Sequence, residues 1–173
     1  TDRKRAETEL NCHAKLGLEL SGAATPEDAA KIIAQAALEL WSWDSYYLHL
    51  LAPDGQKVIQ LSGMDTINGQ RVTVPMPAEA GGPTPVMQRV LREGPQLILR
   101  KSPQEADKSF IRFGDTSRPS MSLMYVPIRD EAKAVGVLSV QSYRLNAFGP
   151  RDLHLLGTLA SYAAQLRDSI KDI

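Results

Sequence analysis

The stretch SLMYVPIRDEAKAVGVLSVQSY, residues 122–143, is the most legible part of the chain. Ser122 to Ile128 reads as one strand, Arg129 to Lys133 as a charged turn, and Ala134 to Ser142 as the returning strand. Gly136, inside the second run, permits a bulge or a close backbone approach. Two neighbouring strands joined by a short turn pair antiparallel, so this segment predicts a sheet built from hairpins.

Working toward the carboxyl end, Pro150 opens a helix through Leu153, Leu156, Leu159, Ala160, Ala163, Ala164 and Leu166, expected to run almost to Ile173. Gly157 inside it costs about 1 kcal/mol relative to alanine. Toward the amino end, Gln96 to Leu99 reads as a short strand and Pro85 to Glu93 as a short helix ended by Gly94-Pro95. Arg71 to Val74 and Lys57 to Leu61 read as strands, with Asn68-Gly69 before the first of them. Tyr46 to Leu51 is a strand with bulky groups on both faces, Tyr47, His49 and Leu51 on one and Tyr46, Leu48 and Leu50 on the other. Pro53-Asp54-Gly55 makes the turn after it. A helix from Thr25-Pro26 to about Leu40 buries Ala29, Ile32, Ile33, Ala36, Ala37 and Leu40, with Thr25 as its cap. The first twenty residues contain no proline and read as a further helix. Hairpins dominate and helices do not alternate with strands, so the class is α+β and not a doubly wound sheet. The helix at 26–40 and the last one carry apolar stripes that a common sheet face would bury.

Two segments have little to hold them in place. Pro75 to Pro85 carries four prolines and two glycines, and Gly114 to Ser120 follows a broken helical stretch. Between Arg89 and Arg118, seven basic residues face four acidic ones. That excess reads first as a solvated face and second as an attraction for an anion.

The 173 residues include 20 basic and 20 acidic side chains and one cysteine. Zero net charge argues against a dedicated nucleic-acid binder. A lone Cys12 excludes an intramolecular disulfide framework and any Cys-rich metal site. No run approaches the ~18 apolar residues of a membrane span, and no apolar signal core follows the amino terminus, so a cytoplasmic location without membrane contact is expected. The chain opens at Thr1, and the expectation is a domain excised from a longer protein.

Enzyme motifs fail in turn. There is no GxxxxGK[ST], no GxGxxG after a strand, no HExxH and no GxSxG. His13, His49 and His154 are scattered, without acidic or thiol neighbours at ligand spacing. Cys12 and His13 are adjacent on a helix and point apart, so they make no nucleophile pair. Neither catalytic residues nor a metal site nor a cofactor is expected.

Taken together, these features resemble the GAF family of small-molecule-sensing domains in bacterial signal-transduction proteins. The resemblance rests on Ser120-Met121-Ser122 entering a strand with Pro127 near its end, on Val135 to Ser142, and on Phe148 ahead of the last helix with Asp152. Thr25-Pro26-Glu27 and the hairpin around Asp54-Gly55 extend it over residues 18–168. Residues 1–20 would then be a leading linker helix, and 169–173 the start of an exit linker. The resemblance implies a central antiparallel sheet of five or six strands with the terminal helices on one face. On the other face, loops and short helices would close as a lid over a pocket. Met76, Val86, Phe110, Phe113, Met121 and Leu123 match its lid and wall, and Tyr47, His49 and Tyr125 are polar-tipped candidates from the strands.

Two specialised branches fit poorly. A covalent bilin needs a cysteine near the pocket, and Cys12 is in the leading helix. The cyclic-nucleotide signature is only partly present: Asn146, Phe148 and Asp152 match, but Ala147 and Leu153 stand where lysine and glutamate belong. Methionine-sulfoxide reductases that share the fold need cysteines this chain lacks. The expected role is therefore a sensing or relay domain of a sensor histidine kinase or similar protein, with an unknown small molecule, of anionic character, as ligand. The alternative is a dimerisation scaffold without a ligand. A homodimer is expected through the seam Ala6, Leu10, His13, Gly17 and Leu20, joined by Leu155, Leu159, Tyr162 and Leu166. The same leading helix could instead pack on its own domain.

Overall fold

A computed structural model describes residues 2–76, 81–105 and 118–166. The chain runs through α1 (Asp2–Ser21), α2 (Pro26–Trp41), β1 (Ser45–Leu51), β2 (Val58–Ile67) and β3 (Gln70–Thr73). It continues through α3 (Pro85–Glu93), β4 (Gln96–Leu99), a 3₁₀ turn at Pro103–Glu105, β5 (Ser122–Asp130), β6 (Lys133–Ser142) and α4 (Pro150–Ala163).

Helix starts follow local chemistry. The Thr25 hydroxyl accepts from the Asp28 amide at 3.0 Å with Pro26 in the first turn of α2, and Thr84 and Pro85 do the same for α3. At α4 the Asp152 carboxylate accepts from the Gly149 N–H at 2.8 Å.

The six strands form one antiparallel sheet in the order β3-β2-β1-β6-β5-β4. The two central strands, β1 and β6, are far apart in sequence, with Tyr46 opposite Val140 and Leu48 opposite Leu138. Pro127 sits in β5 opposite Val137 of β6. A proline there is tolerated because β4 pairs β5 only as far as Tyr125, which leaves the other edge of β5 free at that point.

Period-two alternation separates the faces. Tyr46, Leu48 and Leu50 of β1, Met124, Val126 and Ile128 of β5, and Leu138 and Val140 of β6 form one core with Ala29, Ile33, Ala37, Leu156, Leu159 and Ala163. So α2 and α4 share one sheet face, as their stripes require. Full burial of an Ile or Leu side chain there contributes roughly 1.5–3 kcal/mol. On the opposite face Val86, Met87 and Val90 of α3 pack on Tyr47, Leu51, Leu123, Tyr125 and Val137.

Several sequence expectations change. The second strand continues to Ile67 instead of ending at Leu61: Leu61 is bulged out between Gln60, opposite His49, and Ser62, opposite Leu48, and Gly63 makes room for the Gln60 side chain. The β5–β6 turn is tighter than Arg129 to Lys133. Asp130 and Lys133 still pair, and Glu131 takes the left-handed conformation. Helix α4 is described to Ala163, and the expected continuation past Leu166 lies outside the described residues.

What α1 buries is Leu16, which is not a member of the expected seam. Leu10 and Leu18 are 69% and 77% exposed, while His13 bonds Tyr162 of α4 at 3.0 Å. Leu155, Leu159 and Leu166 belong to the chain's own core, and Leu20 and Tyr162 pack partly buried against it.

Candidate functional site

The face under α3 differs in kind from the helical face, although the same three strands build both. Tyr47 and His49 alternate out of β1 on this side, Leu123 and Tyr125 out of β5, and Ser139 and Gln141 out of β6. Tyr47, Ser139 and Tyr125 lie in one cross-strand row. Ser45, Gln141 and Leu123 form the next.

The His49 ring stacks on Tyr47 with centroids 4.2 Å apart, and Tyr47 tilts against Tyr125 at 6.3 Å. Gln60 Nε2 donates to the Val74 carbonyl at 2.8 Å, which turns its Oε1 toward His49 Nε2 at 3.0 Å. This network assigns the His49 proton to Nε2. Burial pulls His49 down to about 4, against the opposing effect of the hydrogen bond that it donates to Gln60, so the ring is neutral near pH 7. Burial also pushes the Tyr47 hydroxyl well above its usual range, with Tyr125 adding to this and a hydrogen bond with Ser139 opposing it. Tyr125 is likewise pushed up by burial, and the charges of Arg100 and Arg89 oppose it.

Gln141 links the polar groups. Its Oε1 accepts from Ser120 Oγ at 2.9 Å, and its Nε2 donates to Ser139 Oγ at 3.1 Å and to the Tyr125 hydroxyl at 3.4 Å. Arg100, 7% exposed, donates from Nη1 to the Ser120 carbonyl at 2.7 Å. At the far end of the same face, Asp65, 1% exposed, accepts from the Tyr143 hydroxyl, and the Arg118 guanidinium lies 3.7 Å from the Tyr143 ring centre. Among the described residues no three His, Cys, Asp or Glu side chains group as a metal site. No helix among them is long and apolar enough to cross a membrane.

Of the pocket candidates, Tyr47, Val86, Leu123 and Tyr125 are brought into one cluster, with His49 stacked on it. Met121 is buried beside Arg100, whose amide donates to its carbonyl, and Met76 is half-buried after β3. Phe110 and Phe113 lie outside the described residues. Sequence reasoning did not name Ser120, Ser139, Gln141 or Gln60 as site residues. Ser139 and Gln141 alternate with Leu138 and Val140 in β6, and that period was their only signal. Arg89 and Arg100, read as part of a solvated face, lie instead at this buried one. Arg100 is nearly inaccessible, and the Nε of Arg89 is buried too.

Comparison with solved structures places this architecture. The GAF domain of a phosphoenolpyruvate-protein phosphotransferase from Coxiella burnetii superposes with a TM-score of 0.69 at 16% identity, covering 92% of each chain. The free methionine-R-sulfoxide reductase of Neisseria meningitidis, solved with its substrate, gives 0.65 at 16% identity over 92% of this chain and 87% of that one. A GAF domain assigned to a sensor histidine kinase of Pseudomonas syringae pv. tomato gives 0.58 at 20% identity over 94% and 86%. At these identities the likeness is one of fold. No curated protein sequence matches the chain. A family model described as GAF domain matches residues 23–168, from just before the Thr25 cap to the end of α4 and the described residues beyond it. With most of its length matched and its sheet and helices arranged as in those structures, the chain belongs to the GAF domain family.

Proposed function

We propose that this domain senses a small organic molecule on the sheet face under α3 and relays its occupancy to the helices on the other face, within a larger signalling protein such as a sensor histidine kinase. The observation that carries the reading is the contrast between the two faces of the same strands. Toward α2 and α4, β1, β5 and β6 present mainly Leu, Met, Val and Ile. Toward α3 they present Tyr47, His49, Tyr125, Ser139 and Gln141, with Arg100 at the end of the polar chain. A face that served packing alone would gain nothing from buried polar groups, each of which costs free energy unless paired. A few polar groups converging in an apolar setting are the composition of a ligand site.

The relay has a short path, since Tyr47 and Leu48 are neighbours in β1 and point to opposite faces. The neutral His49 and the lack of a thiol on this face support binding rather than catalysis, and a cytoplasmic setting accords with that role. Self-association through the exposed Leu10 and Leu18 of α1 would place two such domains side by side.

A second reading, a dimerisation scaffold without a ligand, draws on the internal pairing of Gln60, Ser139 and Gln141. Native mass spectrometry of the protein purified from its own host separates the two. A retained small molecule, lost in Gln141→Leu, supports sensing. A bare dimer, with no melting shift from any metabolite fraction, supports the scaffold.

A further inference from the structure

Helix α3 lays Val86, Met87 and Val90 on the sheet. Arg89 follows Val86 by three positions and adjoins Val90, so its stem leaves α3 at the border of the packed side. Its Nε is buried and has no hydrogen-bond partner. Buried donors in native domains are satisfied in roughly 90% of cases or more, and a guanidinium N–H held without an acceptor is among the costlier exceptions.

A second donor stands close by. The Tyr125 hydroxyl accepts from Gln141 Nε2, and no described residue accepts its proton. Both Arg89 and Arg100 are near enough to Tyr125 for their charge to act on it. Arg100 has its Nη1 engaged with the Ser120 carbonyl, which fixes its guanidinium in place.

We propose that Arg89 and the Tyr125 hydroxyl, backed by the charge of Arg100, form the anion-binding end of this face, and that they take the carboxylate of a small acid with an apolar body. The inference rests on the sensing role proposed above. A carboxylate matches the planar fork of one guanidinium, with two parallel N–H···O bonds. Val86, Val90, Leu123 and the Tyr47 ring supply apolar wall for the rest of the molecule. A phosphate dianion asks for more free donors than the one uncommitted guanidinium offers.

The test follows the Nε–Hε NMR signal of Arg89 and the amide signals of Tyr47, His49 and Tyr125 in the 173-residue chain. The probes are sodium benzoate, benzamide as its uncharged match in shape, and inorganic phosphate, each up to about 50 mM, which reaches millimolar affinities. Benzoate should move the Arg89 Nε–Hε signal and bind about tenfold more tightly than benzamide. In Arg89→Gln the benzoate affinity should fall about tenfold while benzamide binding stays unchanged. Equal shifts of Tyr47 and Tyr125 by benzoate and benzamide, with Arg89 unmoved, would overturn the anion end and leave the sensing face standing. Movement of Arg89 by phosphate but not by benzoate would overturn the carboxylate assignment. No response of any of the four residues to any probe would overturn the subsite, while the sensing role stands or falls with the retained molecule sought by native mass spectrometry.

Discussion

Gly136 should be among the least replaceable residues in the sheet. A Cβ built there would lie 2.5 Å from the His49 carbonyl oxygen, 2.8 Å from Leu50 Cδ2 and 3.2 Å from Leu50 Cα. Two of these atoms are backbone of the neighbouring central strand, so relief requires β1 and β6 to separate where Leu50 pairs with Gly136. Gly136 is not among the glycines with positive φ, so an alanine faces the contact and no dihedral strain. Overpacking of this kind costs up to about 3 kcal/mol, offset by roughly 0.7 kcal/mol from the lower chain entropy of unfolded alanine. The net loss for Gly136→Ala is about 2 kcal/mol, or a fall in Tm of roughly 4–8 °C for a domain of this size. Gly63→Ala is the comparison. Its Cβ also meets an atom at 2.5 Å, but that atom is in the Gln60 carboxamide, which can rotate away at the expense of its bonds to His49 and Val74. Its loss should be about 1 kcal/mol. Urea and thermal unfolding of both variants measure this. If Gly136→Ala melts within about 2 °C of the parent, or no lower than Gly63→Ala, the close approach of β1 and β6 is not what the glycine provides.

Acid should destabilise the domain through His49: its value falls from 6.5 to about 4 on folding, so only the unfolded chain takes up the proton in that interval. Stability is full above 6.5, declines as pH drops toward 4 and has then lost roughly 3 kcal/mol, a slope His49→Gln should lack in urea titrations across that range. Asp152→Ala removes both the acceptor for the Gly149 N–H and the partner of Trp41 Nε1 at 2.9 Å, and should cost about 2 kcal/mol in urea unfolding. Leu10→Glu with Leu18→Glu should leave Tm within experimental scatter, since both side chains are exposed, yet shift a dimer toward monomer in sedimentation.

The fold was legible where periodicity and punctuation agree. Residues 122–143 alternate cleanly, Thr25-Pro26 and Pro150 announce helix starts, and Asn68-Gly69 does close the β2–β3 turn with both residues at positive φ. The second strand was read only as far as Leu61, short of Ile67, because a glycine that makes room for a neighbouring side chain looks in sequence like an interruption. The aromatic half of the site could be read from β1 and β5. Which face of those strands met α3 could not, because Tyr46 and Tyr47 are equally bulky and only the pairing with β6 assigns them. Arg100 and Gln141 were invisible for a related reason. Their burial depends on Ser120, which is 20 residues from one and 21 from the other. A pattern window shorter than that separation sees only a polar side chain at the end of a strand. In α1, leucines at 10, 16, 18 and 20 offered more than one stripe, and contact with α2 selects Leu16.

The claim that matters most is that the face under α3 is a ligand site. It is tested most directly by an amide NMR titration of the chain with a metabolite extract from its own host. Shifts should be concentrated at Tyr47, His49, Tyr125, Ser139 and Gln141, with weaker ones following into α2 and α4. An extract that moves Leu10, His13 and Leu18 of α1 while leaving those five residues unmoved would contradict the claim.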